Sequence, residues 1–252
     1  MRRVTDFLLN LLLGVILGSL GGLFGIGGGL VAIPALGVLF GLDQQLAQGT
    51  ALLMVVPNVL LALWRYNQRN RINRQHALAL GLSSLLSATL GANWAVTVDA
   101  SQMRWGFIGF LLLLALYNLL QLYRKPKPAA TSLSYSWPWL VALGAVAGLL
   151  GGVFGVGGAV VATPILTLAF GASQVVAQGL SLALALPSTS VTLATYAVHS
   201  HVDWLLGIPL ALGGLLSISW GVKLAHALPE RTLRALFGVF LLLCALLLGW
   251  QT

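Results

Sequence analysis

The stretch Gly18 to Leu36, GSLGGLFGIGGGLVAIPAL, returns at Gly148 to Leu166 as GLLGGVFGVGGAVVATPIL. At an offset of 130 residues the copies agree at 12 of 19 positions without a gap, among them Gly21, Gly22, Phe24, Gly25, Gly27, Gly28 and Pro34. Glycine this dense in an apolar run makes a poor lipid-facing helix, because each interior Gly weakens a helix by roughly 1 kcal/mol relative to Ala. Within a membrane, backbone leaves the helix only where protein buries it or a watery cavity receives it. Two such interruptions at matched places in two repeats point to a transporter's substrate site. Close helix packing through small residues is the plainer reading, and it suits Gly18 with Gly22 and Gly148 with Gly152. The denser runs ahead of Pro34 and Pro164 read as a helix that stops and restarts, since proline suits a new helix's first turn. A dinucleotide-binding GxGxxG lacks its βαβ context here.

Composition agrees with a membrane setting. Of 252 residues, 58% are hydrophobic and 7% charged, too few polar groups to cover a soluble domain of this size. Apolar runs long enough to carry a helix across about 30 Å of hydrocarbon recur along the chain, and strand-like alternation is missing. The expected fold class is an all-α polytopic membrane protein. A net charge of +8 would suggest nucleic acid in a soluble protein. In a membrane protein, basic residues collect on the cytoplasmic face, so the charge is read as topology and nucleic acid is excluded as a partner. The single cysteine, Cys244, allows no internal disulfide and reads as a small buried hydrophobe.

The chain divides into a first transmembrane repeat, 1–123, a basic cytoplasmic linker, 124–136, and a second transmembrane repeat, 137–252. Met1 to Gly22 resembles a signal peptide, but the same run recurs internally after Trp137, so it is read as structural. Each repeat is expected to hold about four transmembrane helices, the first of them discontinuous: Phe7 to Leu42, broken near Gly25 to Gly29, and Trp137 to Phe170. Ala47 to Leu63 and Val175 to Val198 follow, with Pro57 and Pro187 freeing the carbonyls of Leu53 and Ala183 and kinking each helix. The remaining spans are Ala77 to Val98, Trp105 to Tyr123, Trp204 to Ala225 and Leu233 to Leu248, and most tryptophans fall at span ends as an interfacial belt. One crossing per Gly-broken element gives eight crossings, with Arg2, Arg3, the Arg65 to Arg74 run and the Arg124 to Lys127 linker on one side. That count puts Lys223, Arg231 and Arg234 opposite; a hairpin at each element gives ten crossings and inverted halves, and both counts stay open.

These residues carry a family likeness. The motifs Gly21 to Pro34 and Gly151 to Pro164, the segments Gln48-Gly49-Thr50 and Gln178-Gly179-Leu180-Ser181, and the downstream Pro57 and Pro187 together resemble the sulfite exporter TauE/SafE (TSUP) permeases over nearly the whole chain. The resemblance implies movement of a small sulfur-containing anion, such as sulfite, an organosulfonate or a related oxyanion, across the cytoplasmic (inner) membrane. The copies differ at Gly29 against Ala159 and Thr50 against Leu180, so the halves are expected to make unlike contacts.

An oxyanion in a low-dielectric cavity needs donors. Candidate substrate-binding groups are the backbone N–H groups of Gly25, Gly27, Gly28 and Gly29 and of Gly155, Gly157 and Gly158, as nests or helix N-termini. The candidate side chains are Gln48, Asn58, Thr163, Gln178, Ser181, Ser188 and Thr189. A helix N-terminus contributes up to about 2 kcal/mol toward an anion, against several kcal/mol for desolvating it, so side chains and retained water are needed as well. A Ser or Thr in a helix commonly bonds its own backbone instead. Gln48 and Gln178, amides at matched positions, are harder to assign to structure alone. His199 and His201, at a span end, read as interfacial, and Arg65 as a topological anchor.

Asp6, Asp43, Asp99, Asp203 and Glu230 all fall at span ends or in loops, so no carboxylate is placed for a mid-membrane proton relay. An inside-negative potential drives a monoanion outward by about 2.3 kcal/mol per 100 mV. The expectation is export, potential-driven or facilitated, through rocking of the two repeats about a central site. Without a nucleophile and base, a metal-ligand cluster or an acidic pair, an enzyme is disfavoured and no cofactor or metal is expected. An anion channel, or a permease for another small organic anion, is the competing reading. The expected partners are a small anionic substrate, the lipid bilayer and at most a second copy in a homodimer.

Overall fold

The computed structural model describes residues 2–24, 27–69, 72–122, 137–172, 174–228 and 230–250. Gly25, Arg71 and the basic linker 124–136 lie outside the described residues. Among the described residues there are ten helices: α1 (Arg2–Phe24), α2 (Gly29–Phe40), α3 (Gln44–Arg69), α4 (Arg74–Ala95), α5 (Ala100–Leu122), α6 (Trp137–Phe154), α7 (Ala159–Leu168), α8 (Gln174–Val198), α9 (Trp204–Ala227) and α10 (Glu230–Trp250). Seven of them, α1, α3, α4, α5, α6, α8 and α9, are long and apolar enough to cross a membrane, whereas α2, α7 and the apolar part of α10 (Ala235–Trp250) are shorter. Helices α2 to α5 begin at residues 29, 44, 74 and 100, and α7 to α10 at 159, 174, 204 and 230, each 130 later.

The surface is what lipid requires. On α4, Leu78, Leu82, Leu86 and Leu90 form an exposed stripe at four-residue spacing, while Leu80, Ser84, Ala88 and Gly91 are buried. In water this pattern would leave the helix inside out; against hydrocarbon it costs nothing, and the polar and small face packs inward. Local signals set the helix starts. Asn73 caps α4, its side-chain oxygen accepting from the N–H groups of Gln75 and His76 at 3.0 and 3.3 Å, and Asp203 caps α9 by accepting from Leu206 at 3.0 Å.

Glycine stripes fix the closest helix pairs and their directions. Along α1, Gly14, Gly18 and Gly22 lie directly on Leu210, Gly214 and Ile218 of α9, so the two helices run parallel. Gly144, Gly148 and Gly152 of α6 lie in the same way on Leu80, Ser84 and Ala88 of α4, again in parallel. A Cβ at any of these six glycines would enter the facing helix, so the small-residue packing weighed for Gly18, Gly22, Gly148 and Gly152 is present at those positions.

Helices α3 and α8 run antiparallel: Gln48 near the start of α3 meets Tyr196 near the end of α8, and Tyr66 near the end of α3 meets Gln178 near the start of α8. Helix α9 runs parallel to α3, from Thr50, which accepts the Asp203 N–H at 3.0 Å, to Arg65, which donates to Ser219 at 2.6 Å.

One feature departs from the sequence expectations. Pro34 and Pro164 are each the sixth residue of the new helix, not its first turn, because α2 and α7 restart directly after Gly28 and Gly158. Helices α3 and α8 continue through Pro57 and Pro187 without interruption.

Candidate functional site

The glycine tracts break the helix in both copies. Helix α1 stops at Phe24, and α2 starts after Gly28, whose φ of 98° lies in the left-handed region; α7 starts after Gly158 with φ of 70°. A residue with a Cβ pays of order 1–3 kcal/mol to sit there. The chain also folds back tightly enough to forbid one: a Cβ on Gly21 would strike Gly28, and a Cβ on Gly151 would strike Gly158.

The two turns meet. A Cβ on Gly29 would lie 3.5 Å from the Gly155 carbonyl oxygen and 3.6 Å from the Val156 Cα. They sit against the middle of α3 and α8, where Gly27 faces Val55 and Val59 and Gly157 faces Ala185 and Thr189. Each is pinned by a side chain from the helix behind it: Asn58 Nδ2 donates to the Gly27 carbonyl at 3.3 Å, and Ser188 Oγ donates to the Gly157 carbonyl at 3.0 Å. Those contacts are related by the same shift of 130 residues, as the paired residue numbers show.

At the start of each short helix one carbonyl does double duty. The N–H groups of Val31 and Ala32 both reach the Gly28 carbonyl, at 3.1 and 2.9 Å, and those of Val161 and Ala162 reach the Gly158 carbonyl at 3.1 and 3.0 Å. The N–H groups ahead of them have no intrahelical acceptor, as at any helix start. No side chain caps either end. Two buried helix N-termini thus point their partial positive charge into one region.

Several buried polar groups remain without partners. Gln48 is fully buried, its Oε1 accepts from the Tyr196 hydroxyl at 2.7 Å, and its Nε2 has no hydrogen-bond partner. Its Cβ lies 3.1 Å from where a Cβ on Gly155 would be, so the base of the side chain is packed directly on the second turn. Ser181 Oγ and Asn58 Oδ1 are likewise buried without a partner. A buried donor left unmade costs about 1–3 kcal/mol; Gln44 Nε2 and Arg104 Nε share that state, and Gln48 differs from them in packing on a glycine turn.

The other candidates fall into clear classes. Thr163 donates to the Ala159 carbonyl at 2.9 Å and Thr189 to Ala185 at 2.7 Å, so both hydroxyls are spent on their own helices. Ser188 divides between Gly157 and its own-helix Ala185, at 3.1 Å for the latter. Gln178 accepts a short hydrogen bond from the Tyr66 hydroxyl and is partly exposed. The antiparallel course of α3 and α8 places it at the opposite end of their seam from Gln48. Gly27, Gly28, Gly29, Gly155, Gly157 and Gly158 are all buried, and Gly25 lies outside the described residues.

Sequence reading passed over Tyr66 and Tyr196. Both were legible as a pair at the repeat offset, but Tyr66 sits beside the Arg65 to Arg74 run and reads there as part of the interface. Gln45 is a different case: its Nε2 donates to the Ala95 and Val98 carbonyls at 3.3 and 2.7 Å and closes the end of α4.

Residues 10–248 match the sulfite exporter TauE/SafE family. The chain belongs to that family. With seven helices long and apolar enough to span, it is a multi-pass membrane protein. Relatives extend over almost the full chain. The probable membrane transporter protein YunE of Bacillus subtilis is 25% identical over 94% of this chain and 95% of its own. A probable membrane transporter protein of Xylella fastidiosa is 28% identical over 96% of this chain and 92% of its own. A third, from Methanocaldococcus jannaschii, is 27% identical over 93% and 95%.

Proposed function

We propose that this TauE/SafE protein is a carrier that exports a small sulfur-containing oxyanion, sulfite or an organosulfonate, through a site between the α2 and α7 N-termini. The observation that carries the reading is the meeting of the two glycine turns against the Gln48 side chain, whose Nε2 has no partner. Two converging helix ends and an amide donor suit a compact anion, and backbone N–H groups replace part of its hydration shell. The buried polar residues among those described are uncharged, which suits a site that holds an anion without binding it irreversibly. Export then follows from the membrane potential, which favours outward movement of a monoanion.

The two repeats act as inverted halves in this reading. Helix α2, of 12 residues, extends about 18 Å at 1.5 Å per residue, short of the roughly 30 Å of hydrocarbon. It leaves a turn at the middle of α3 and ends three residues before α3 begins, so it runs back toward the face from which α1 came. Each Gly-broken element is read as a hairpin of one long and one short helix that returns to the face it came from, entering from opposite faces in the two halves, with α3, α4 and α5 and α8, α9 and α10 as the crossings between them. This reading takes the hairpin alternative over one crossing per element. It also gathers every Lys and Arg except Arg2, Arg3 and Arg104 in or beside the segments after α3, α5 and α9, on one face, which the positive-inside rule makes cytoplasmic.

Counterflow in proteoliposomes tests the function. Vesicles loaded with unlabelled sulfite should accumulate radiolabelled sulfite transiently and saturably. Linear, non-saturable flux would make the protein a channel, and no flux of sulfite or organosulfonate would remove the cargo assignment.

A further inference from the structure

We propose that Tyr66 and Tyr196 are latches closing opposite ends of the α3–α8 seam, and that release of one at a time opens the glycine turns to one face of the membrane. This deepens the carrier reading and rests on its inverted topology.

Reciprocity is the ground for it. Tyr196 of α8 donates to Gln48 Oε1 of α3 at 2.7 Å, and Tyr66 of α3 donates to Gln178 Oε1 of α8. Both the phenols and the amides are 130 residues apart, so one arrangement is made twice, each time between the two repeats. Along α3, Gln48 and Tyr66 are about 27 Å apart at 1.5 Å per residue, close to the hydrocarbon thickness. Val55 and Val59, which touch the first turn, lie between them. The glycine turns thus sit between two tyrosine bonds, one toward each face, and with both made the site is shut from both sides.

The chemistry suits a latch coupled to cargo. A phenol carries a single proton, and at Tyr196 the Val153 carbonyl, 3.3 Å away, is a second acceptor that can receive it when the Gln48 bond opens. The same Gln48 side chain that receives the phenol through Oε1 packs its Cβ and Cγ on Gly155 and carries the partnerless Nε2. An anion drawing on Nε2 therefore pulls directly on the latch, which ties occupancy of the site to the choice of open face.

The test uses the full-length protein with Cys244→Ser and a reporter at Val55→Cys, or at the equivalent Ala185→Cys should the first not fold. A membrane-impermeant maleimide is applied to spheroplasts and to inverted vesicles. Tyr196→Phe should raise labelling from the outer face about fivefold, the equilibrium equivalent of about 1 kcal/mol for one hydrogen bond. Tyr66→Phe should do so from the cytoplasmic face. In reconstituted vesicles each variant should lower the apparent KM for sulfite on the face it opens and raise it on the other. Labelling unchanged from both faces, or raised on the same face by both variants, or raised equally on both faces by either one, overturns the proposal. Labelling needs no cargo, so these outcomes hold even if sulfite proves not to be the substrate.

Discussion

Replacing Gln48 by alanine separates a substrate-binding amide from a structural one. The substitution removes the partnerless Nε2 and the Oε1 that accepts from Tyr196, whose hydroxyl keeps the Val153 carbonyl at 3.3 Å. A hydrogen bond to a charged group is worth about 1.5–3 kcal/mol. At 1.4 kcal/mol per factor of ten, sulfite affinity should fall roughly 10- to 100-fold. Folding should lose only about 1 kcal/mol, the net value of one exchanged hydrogen bond. Isothermal calorimetry on detergent-purified protein reads the affinity, and thermal unfolding reads the stability. Gln45→Ala is the matched control, since both acceptors of its amide are backbone carbonyls of the α4 end. It should lower the unfolding temperature and leave affinity unchanged. Wild-type affinity in Gln48→Ala, or an equal loss in Gln45→Ala, would refute the reasoning.

Three further outcomes follow from the same geometry. Gly158→Ala places a Cβ against the Ala147 carbonyl at φ of 70°, so it should destabilise by more than the about 1–3 kcal/mol of left-handed strain alone. Gly41→Ala, with φ of 64° and open space around it, should show only that strain, and thermal unfolding compares the two. Gly148→Leu drives a side chain into Ser84 and Ser87 of α4 and should cost about 1–3 kcal/mol of overpacking, read as loss of the monodisperse peak on size exclusion, whereas the lipid-facing Leu86→Ala should leave that peak intact. Sulfite flux under an imposed potassium-diffusion potential should rise with inside-negative voltage; flux indifferent to voltage but dependent on a proton or sodium gradient would end the uncoupled mechanism.

Much of the fold was readable because the membrane imposes strong rules. Apolar length located the spanning helices to within six residues at either end, closest for Val175 to Val198 against α8 (Gln174–Val198) and loosest for Ala47 to Leu63 against α3 (Gln44–Arg69). The repeated glycines located both breaks, since left-handed backbone at Gly28 and Gly158 and fold-back onto Gly21 and Gly151 admit no other residue type. Direction was not readable. Whether α2 continues across or turns back depends on where the turn meets α3, and Val55 and Val59 gain that meaning only from contact with Gly27. Site chemistry divided along the same line. The local back-bonding of Thr163 and Thr189 follows from helix geometry. The pairing of Tyr196 with Gln48 joins residues 148 apart, and nothing local marks it.

The most direct test of the account is a structure of the protein soaked with selenite, whose selenium scatters anomalously and whose pyramidal oxyanion resembles sulfite. The account predicts one anomalous peak between the α2 and α7 N-termini, within hydrogen-bond reach of Gln48 Nε2 and of backbone N–H groups in the two glycine turns. A peak confined to the basic face, or a saturated crystal with no peak between the turns, would contradict it.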